Sequence, residues 1–474
     1  MSKKQKALIN ISEKTFFSVL MFLGALIAVS IVLTYIIPAG SFGTLPDGGV
    51  DYLSYTENTE RGGIPILQGI FAPVLVFFSS DGLTLIMLSL FLLIISAAFQ
   101  VMNDVGGIRA LIGYVSSRFK SKKYLLVAAL SFLFYSFGAF LGLFEEMLTM
   151  LPIIATLCVL IGYDSFTGFL CCIISCGFGF ASAITNPFTV LLASGIIGVN
   201  PMTNIWYRLV IFAAMFLLLQ CFIFIYVKRI SKDPALSLTF EHDVPIRAAA
   251  EEQPDISTKK DAHIRRIYGI FLSLALLLIM ISSLSESLRD YSVVILIAYF
   301  LFGGIIAGKA ASGSFRDVFR SFMKGITGAL PTIVFIAMAA SVKFILDKAS
   351  ILPTIVYRIN TAAEGKSPFQ VALIIYIIVL ALEFFISSST AKAIIVMGLL
   401  SAVNVGLSKT MMVLLYTFAD GYTNVLFPTS PVLLIALSMI EMSYFKWVKK
   451  SLPLFVINLA LVIGFILLGV VIGY

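Results

Sequence analysis

Apolar runs of about twenty residues recur along this 474-residue chain, as in Val19 to Ile37 and Leu454 to Ile472. A helix that rises 1.5 Å per residue needs about twenty residues to cross the hydrocarbon core of a bilayer. Only 12% of the residues are charged, against roughly 25% in a soluble domain. The runs are apolar on every face, whereas the strands of a membrane β-barrel alternate. The sequence therefore predicts an all-α polytopic membrane protein.

Several functional classes are excluded by residue placement. Both histidines, His242 and His263, fall in one long polar segment, so no imidazole is available at membrane depth for metal or nucleophile chemistry. The five cysteines lie inside apolar segments, and we expect them to be packing residues. No GxxxxGK[ST] string for ATP binding occurs. We predict no enzymatic activity, no cofactor and no metal beyond a coupling Na⁺.

The basic residues, which give a formal charge of +8, concentrate at the ends of apolar runs, as membrane orientation requires. We therefore expect a lipid bilayer and a small-molecule substrate as partners, and no nucleic acid. Lys3, Lys4 and Lys6 predict a cytoplasmic N-terminus before a retained first helix, Phe16 to Ile37. The acidic loop 38–63 would then lie outside. Alternation of loop charge places the C-terminus outside a bacterial plasma (inner) membrane.

The first half, residues 1–230, contains two apolar stretches that are too long for one crossing and are interrupted. Residues 124–161 predict a re-entrant hairpin with its tip at Gly142 to Glu146. Residues 166–199 predict a broken membrane helix, because Pro187 removes a helical donor and disfavours helix before it. The polar residues 231–266 predict a cytoplasmic linker between the halves.

The second half, residues 267–474, predicts the same order in the opposite direction. It includes an amphipathic basic stretch with Arg316, Arg320 and Lys324 before a separate crossing from Leu330 to Leu346. Residues 369–405 predict the second hairpin and residues 410–440 the second broken helix. Pro187 and Pro428 are 241 positions apart, as are the two tryptophans, Trp206 and Trp447. Two inverted-topology repeats with interrupted helices are typical of secondary transporters.

Helix breaks expose backbone groups that lipid cannot satisfy, so they must face protein or a water-filled cavity. Helix N-termini there favour carboxylates, while carbonyls and hydroxyls suit Na⁺ or an ammonium group. The residues near the breaks fall into two predicted groups. Those for substrate binding are Glu145, Glu146, Asn186, Ser387, Ser388, Ser389, Thr390, Lys392, Asn424, Thr429 and Ser430. Those for ion coupling are Glu383, Asp420, Ser182 and Thr185.

Each candidate has a simpler structural interpretation. The glutamates of the first tip and the serine row at 387–390 could be ordinary helix caps. The polar residues beside Pro187 and Pro428 could have no role beyond satisfying freed backbone groups. Asp420 could form a structural pair with Lys343. Glu383 opposes the helix dipole and needs a partner or a proton, and Lys392 is the predicted partner.

Four strings resemble the signatures of the DcuC/YfcC-type C4-dicarboxylate anaerobic carrier family, within the ion transporter superfamily. They are GLFEEMLTMLPIIATLCVLIGYDS, GFGFASAITNPFTVLLASGIIGV, FFISSSTAKAIIVMGLL and FADGYTNVLFPTSPVLLIAL. The likeness extends from the string IIPAGSF at Ile36 to Phe42 through the last helix. Within the family the chain looks like the YfcC-like branch, whose members are often labelled basic amino-acid antiporters. The resemblance implies an elevator-type carrier, a homodimer in which hairpins and broken helices move together.

The combined expectation is a secondary active transporter that is ion-coupled or works by exchange. Its expected substrates are small carboxylate-bearing metabolites, and amino acids are preferred among these. The second tip and Lys392 would hold the substrate carboxylate, while Glu145 or Glu146 would attract an amino group or carry the coupled proton. A C4-dicarboxylate carrier is the alternative, and it would demand protonated glutamates. An ion channel is a weaker alternative, because it needs a continuous polar pore.

Overall fold

The protein is described here from a computed structural model. It covers residues 13–44, 50–58, 62–80, 82–111, 114, 122–251, 259–284, 286–289, 291–363, 365–385, 389, 392, 393, 396, 397, 400 and 406–474. Most of the described residues form helices, and a short stretch after the first helix forms a two-stranded sheet. In the first half the elements are α1 (Glu13–Ile36), β1 (Ala39–Thr44), β2 (Val50–Asn58), α2 (Ile66–Ile70), α3 (Ala72–Leu75), α4 (Gly82–Asp104), α5 (Lys123–Ser136), α6 (Met147–Leu160), α7 (Ser165–Phe169), α8 (Ser175–Ala181), α9 (Leu192–Ile197) and α10 (Ile205–Lys232).

The second half continues after the polar segment. Its elements are α11 (Phe240–Glu251), α12 (Lys259–Leu284), α13 (Glu286–Arg289), α14 (Ser292–Ser312), α15 (Phe315–Lys348), α16 (Leu352–Ala363), α17 (Pro368–Phe385), α18 (Lys409–Thr423), α19 (Pro431–Met439) and α20 (Tyr444–Val471). Three π-helical segments extend or join helices of the first half: Phe137–Leu141, Leu170–Ile174 and Pro187–Leu191. There are also 3₁₀ turns at Val76–Phe78 and Pro234–Leu236.

Six helical segments of the described chain are long and apolar enough to cross a membrane, which confirms a polytopic, mainly helical membrane protein. Both predicted broken helices contain non-helical gaps, between α8 and the π segment at Pro187 and between α18 and α19. The re-entrant course of the hairpins and the inversion of the repeats stay predictions. The six segments are Leu85–Asp104, Lys123–Leu141, Ile205–Lys232, Val293–Ser312, Phe315–Lys348 and Tyr444–Val471.

The all-helical prediction is wrong for the loop after α1. Strands β1 and β2 pair antiparallel there, and the resulting sheet docks on α16. The Tyr55 hydroxyl lies 2.8 Å from Thr354 Oγ1, and Thr354 donates to the Pro38 carbonyl at 2.7 Å. Sequence reasoning missed the sheet because the loop was interpreted by its charge alone, and the strands are too polar to show a clear apolar alternation.

Helix α15 also corrects the sequence prediction, because the basic stretch and the following crossing form one helix of 34 residues. Pro331 lies inside it without ending it. Membrane helices tolerate proline where neighbouring groups satisfy the freed carbonyl. The basic first turns, with Arg316 and Arg320, are therefore a continuation of the spanning helix and not a separate surface element.

Backbone-to-backbone contacts through glycine join the hairpin and broken-helix elements. A Cβ added at Gly138 would overlap the carbonyl oxygen of Cys176, and one at Gly179 would overlap that of Tyr135. A Cβ at Gly421 of α18 would overlap the backbone nitrogen of Ala181, the last residue of α8. Small residues allow membrane helices to approach this closely. The two broken helices therefore cross in direct contact at the point where α8 ends.

The polar segment between the halves contains an ordered helix, α11, which is bonded to both halves. The buried carboxylate of Asp243 accepts the Ser165 backbone N–H at 3.0 Å and the Thr239 hydroxyl at 2.9 Å. The ammonium of Lys446 donates to the Leu238 carbonyl at 2.6 Å. The linker thus fastens the start of the first broken helix to the helix that follows the second.

Replacement of Gly421 by alanine is expected to lower the stability of the folded protein by about 1–3 kcal/mol, because the added methyl group forces α18 away from α8. Gly464→Ala in α20 is the matched control, since nothing lies within 4 Å of a Cβ at that position. Thermal unfolding of both purified variants in detergent tests this. Equal midpoints would contradict the close crossing.

Candidate functional site

The first break, residues 182–186, lies against the π segment that follows α5. Thr185 Oγ1 donates to the Phe140 carbonyl at 3.2 Å, and Asn186 Nδ2 donates to the Gly138 carbonyl at 3.1 Å. Asn186 Oδ1 accepts the Phe188 N–H at 2.9 Å, and the side chain is fully buried. These polar groups satisfy backbone atoms that the break and the π segment leave free. The simpler structural role therefore accounts for all three hydrogen bonds.

Ser182, another predicted ion-coupling residue, is held by the first hairpin. Its hydroxyl donates to the buried Tyr135 hydroxyl and lies 3.0 Å from the Phe178 carbonyl oxygen. Tyr135 in turn donates to the carbonyl of Phe212 in α10 at 2.8 Å. Ser182 thus ties the end of α8 to two neighbouring helices.

The tip of the first hairpin turns at Gly142, whose φ of 70° lies in the left-handed region that favours glycine. A Cβ there would lie 2.6 Å from Asn186 Oδ1, so the tip packs directly on the first break. The two glutamates of the tip differ. Glu146 is buried and accepts the Phe144 N–H at 3.2 Å, whereas Glu145 is exposed. Glu145 also lies near enough to Asp420 for their charges to repel each other.

The end of α17, Lys392 and α18 meet at a buried ion-pair cluster, the triad of Glu383, Lys392 and Asp420. Lys392 Nζ pairs with Glu383 Oε1 and lies 2.8 Å from Asp420 Oδ1. Each of the three residues is at most 3% exposed. Ser389 donates to Asp420 Oδ2 at 2.8 Å, and Thr423 donates to Glu383 Oε2 at 3.2 Å. Two carboxylates thus share one ammonium group.

The predicted pairing of Glu383 with Lys392 is confirmed, and the alternative pairing of Asp420 with Lys343 is wrong. Lys343 instead lies 3.9 Å from Asp347, one turn along α15. The role predicted for Lys392 in holding a substrate carboxylate stays a prediction, and in this conformation its ammonium is already paired with two protein carboxylates. Sequence spacing could not reveal that both acids reach the same ammonium group.

The second break, residues 424–430, also satisfies much of its own backbone. Asn424 Nδ2 donates to the Asp420 carbonyl at 2.8 Å, and the indole Nε1 of Trp447 donates to the Val425 carbonyl at 2.9 Å. Ser430 Oγ accepts the Leu433 N–H at 3.4 Å and so caps α19. The buried Thr429 lies beside Ser430 in this break.

Three predicted substrate-binding residues, Ser387, Ser388 and Thr390, lie outside the described residues. Within the described ranges, no group of three or more His, Cys, Asp or Glu side chains is placed to hold a metal ion. The described site is therefore a set of charges and hydroxyls, with the exposed Glu145 on one side and the triad on the other.

Sequence reasoning missed two residues of this region. Tyr416 of α18 donates its hydroxyl to the Ser389 carbonyl and so holds the second hairpin against the triad. Arg208 of α10 is buried and donates to the carbonyl of Ala183 in the first break at 3.2 Å. A charged residue in the apolar run IWYRLVIF is itself a signal of function in a membrane helix.

A comparison of sequences decides the family, since the profile described as C4-dicarboxylate anaerobic carrier matches residues 16–471. The chain belongs to the C4-dicarboxylate anaerobic carrier family. Membership indicates a secondary transporter, so the triad and the two breaks lie within a carrier. The resemblance stated from the four sequence strings is thereby confirmed.

Two bacterial proteins and one solved structure are similar to the chain. The Escherichia coli K12 protein named "Putative basic amino acid antiporter YfcC" is 26% identical, with 92% of this chain and 93% of the relative covered. An uncharacterised Haemophilus influenzae protein is 24% identical, with 80% and 74% covered. Among solved structures, the Alcanivorax borkumensis YdaH transporter aligns at 14% identity with a TM-score of 0.43, covering 97% of this chain and 99% of that one.

Replacing Lys392 by methionine is expected to destabilise this carrier by about 3–5 kcal/mol, because two buried carboxylates lose their shared ammonium. Adding Asp420→Asn to Lys392→Met should restore part of the loss, since one uncompensated charge is removed. Thermal unfolding in detergent across the wild type, both single variants and the double variant measures the coupling.

Lys343→Met is the control for that cycle, because its partly exposed partner, Asp347, contributes at most about 1 kcal/mol. The tightly coupled triad would be contradicted if Lys392→Met lowered the unfolding temperature no more than the control does. It would also be contradicted if the effects of Lys392→Met and Asp420→Asn on that temperature were strictly additive.

Proposed function

We propose that the chain is a secondary active transporter, ion-coupled or exchanging, of small carboxylate-bearing metabolites, with amino acids first among them. The observation that carries this proposal is the charge of the buried triad. With all three groups ionised, one ammonium faces two carboxylates, which leaves one excess negative charge at a site at most 3% exposed. An uncompensated buried charge is costly, so a cation has a strong reason to bind there.

A proton fits this site better than Na⁺. The Lys392 ammonium already occupies the space between the two carboxylates, where a coordinated Na⁺ would lie. A proton on Glu383 or Asp420 would neutralise the triad without displacing the lysine. The role of the triad in the proposal is therefore to bind the coupling proton on one side of the membrane and release it on the other.

The exposed Glu145 is the proposed partner of a substrate amino group. Its carboxylate is exposed, so an ammonium group of a substrate can reach it and form an ion pair. A C4-dicarboxylate offers no such group and would add negative charge to an acidic region. This favours amino acids over the alternative of a C4-dicarboxylate carrier, and the name of the Escherichia coli relative is in line with it.

The proposed movement is of the elevator type, in a homodimer within a bacterial inner membrane, with the N-terminus cytoplasmic and the C-terminus outside. The glycine contacts among the first hairpin and the two broken helices support a unit that moves as one body. Apolar membrane helices outside this unit, such as α4 and α14, would form the stationary part.

Uptake into proteoliposomes tests the proposal with L-lysine, L-glutamate and succinate under separate H⁺ and Na⁺ gradients. We expect an inward proton gradient to accelerate uptake of an amino acid by at least tenfold. Glu383→Gln and Asp420→Asn should lose this acceleration and keep exchange against internal substrate, because an amide cannot cycle a proton.

Lys343→Met serves again as the control and should respond to the gradient as the wild type does. Full acceleration in a monodisperse Asp420→Asn variant would remove the triad from coupling. Faster uptake of succinate than of either amino acid would favour the dicarboxylate alternative.

A further inference from the structure

Arg208 places a buried positive charge at the first break. It lies in the first turn of α10 and is 2% exposed. Its Nη1 donates to the carbonyl of Ala183 at 3.2 Å, just beyond the end of α8. An arginine stays protonated in proteins, so this carbonyl end of a broken helix carries a permanent cation.

The second break shows that satisfying such a carbonyl does not require a charge. There the indole N–H of Trp447, in the first turn of α20, donates to the carbonyl of Val425 at 2.9 Å. In both halves the helix that follows the break sends a side-chain donor back to a freed carbonyl. The donor is neutral in one half and charged in the other, so the charge of Arg208 needs a separate explanation.

The protein groups described around Arg208 are polar or apolar and do not neutralise that charge. Within the described part of the chain, no carboxylate lies within 4.0 Å of the guanidinium, and its buried Nε has no hydrogen-bond partner. Its electrostatic neighbour is the Tyr474 hydroxyl, which is uncharged at neutral pH. Buried cations are normally paired, so binding of an anion from outside the protein would be favourable there.

We infer that Arg208 binds the carboxylate of the substrate at the first break. The inference rests on the proposed function and replaces Lys392, which the triad already neutralises, as the anchor for that carboxylate. A guanidinium presents parallel N–H donors that match the two oxygens of a carboxylate. The two halves of the carrier thus divide the charges, with the anionic group of the substrate at the first break and the coupling cation at the triad.

Ligand binding to the purified full-length protein tests this inference. The probes are L-lysine, L-glutamate, succinate and, as the amine that lacks a carboxylate, cadaverine. Titration calorimetry gives the Kd of each probe for the wild type and for Arg208→Gln, Arg208→Lys and Trp447→Phe. Arg208→Gln retains a side-chain N–H donor and loses the charge, while Trp447→Phe removes the neutral donor of the other half.

We expect Arg208→Gln to weaken binding of the carboxylate probes by about 10- to 100-fold, as loss of a charge-assisted bond implies. Any binding of cadaverine should be unchanged. Arg208→Lys should show an intermediate loss, because the charge remains and the paired donors do not. Trp447→Phe should have a lower unfolding temperature and the wild-type Kd values.

Wild-type affinity for the carboxylates in folded Arg208→Gln would overturn the inference and leave Arg208 as a cap for the break. If that variant does not fold, wild-type affinity in Arg208→Lys overturns it equally. In either case proton-driven uptake by the wild type would leave the proposed function standing. A wild type that neither binds nor transports any of the three carboxylates would overturn both.

Discussion

The breaks in the two membrane helices are the constraint on which the rest of the structure depends. A helix interrupted inside a bilayer leaves N–H and carbonyl groups that lipid cannot bond, so each must find a partner in the protein. At the first break, Thr185 and Asn186 donate to carbonyls of the π segment after α5, and Arg208 donates to the Ala183 carbonyl. At the second break, Asn424 and Trp447 donate hydrogen bonds to the carbonyls of Asp420 and Val425. The tight packing of hairpin, breaks and following helices is a consequence of this need.

Satisfying the breaks from within changes which residues remain for chemistry. Many of the polar side chains beside the prolines are committed to backbone groups, and Glu146 accepts the Phe144 N–H within its own tip. Among the described residues of this region, the groups that are not needed by the backbone are charged. They are the exposed Glu145, the triad and the Nε side of the Arg208 guanidinium. Their signs are distributed unevenly, with Glu145 and Arg208 before the linker and the triad after it.

The sequence was sufficient to locate the breaks, because Pro187 and Pro428 interrupt apolar runs that are otherwise continuous. It was also sufficient to pair Glu383 with Lys392, since an acid at the end of a helix needs a nearby cation. It could not bring Asp420 to the same ammonium group, because that contact depends on how α18 crosses α17 in space. The sheet after α1 and the buried Arg208 were missed because short polar strands and a single arginine are weak signals against a strong apolar pattern.

Helix α11 has a consequence for how the chain assembles during synthesis. Its bonds from Asp243 to Ser165 and Thr239 join residues that all precede the second half, so this network can close while residues beyond 251 are still being made. Growing chains order their N-terminal parts first. The contact of Lys446 with Leu238 becomes available only near the end of translation. The linker, once fastened to the first half, therefore offers the Leu238 carbonyl to Lys446 when the last helix is made.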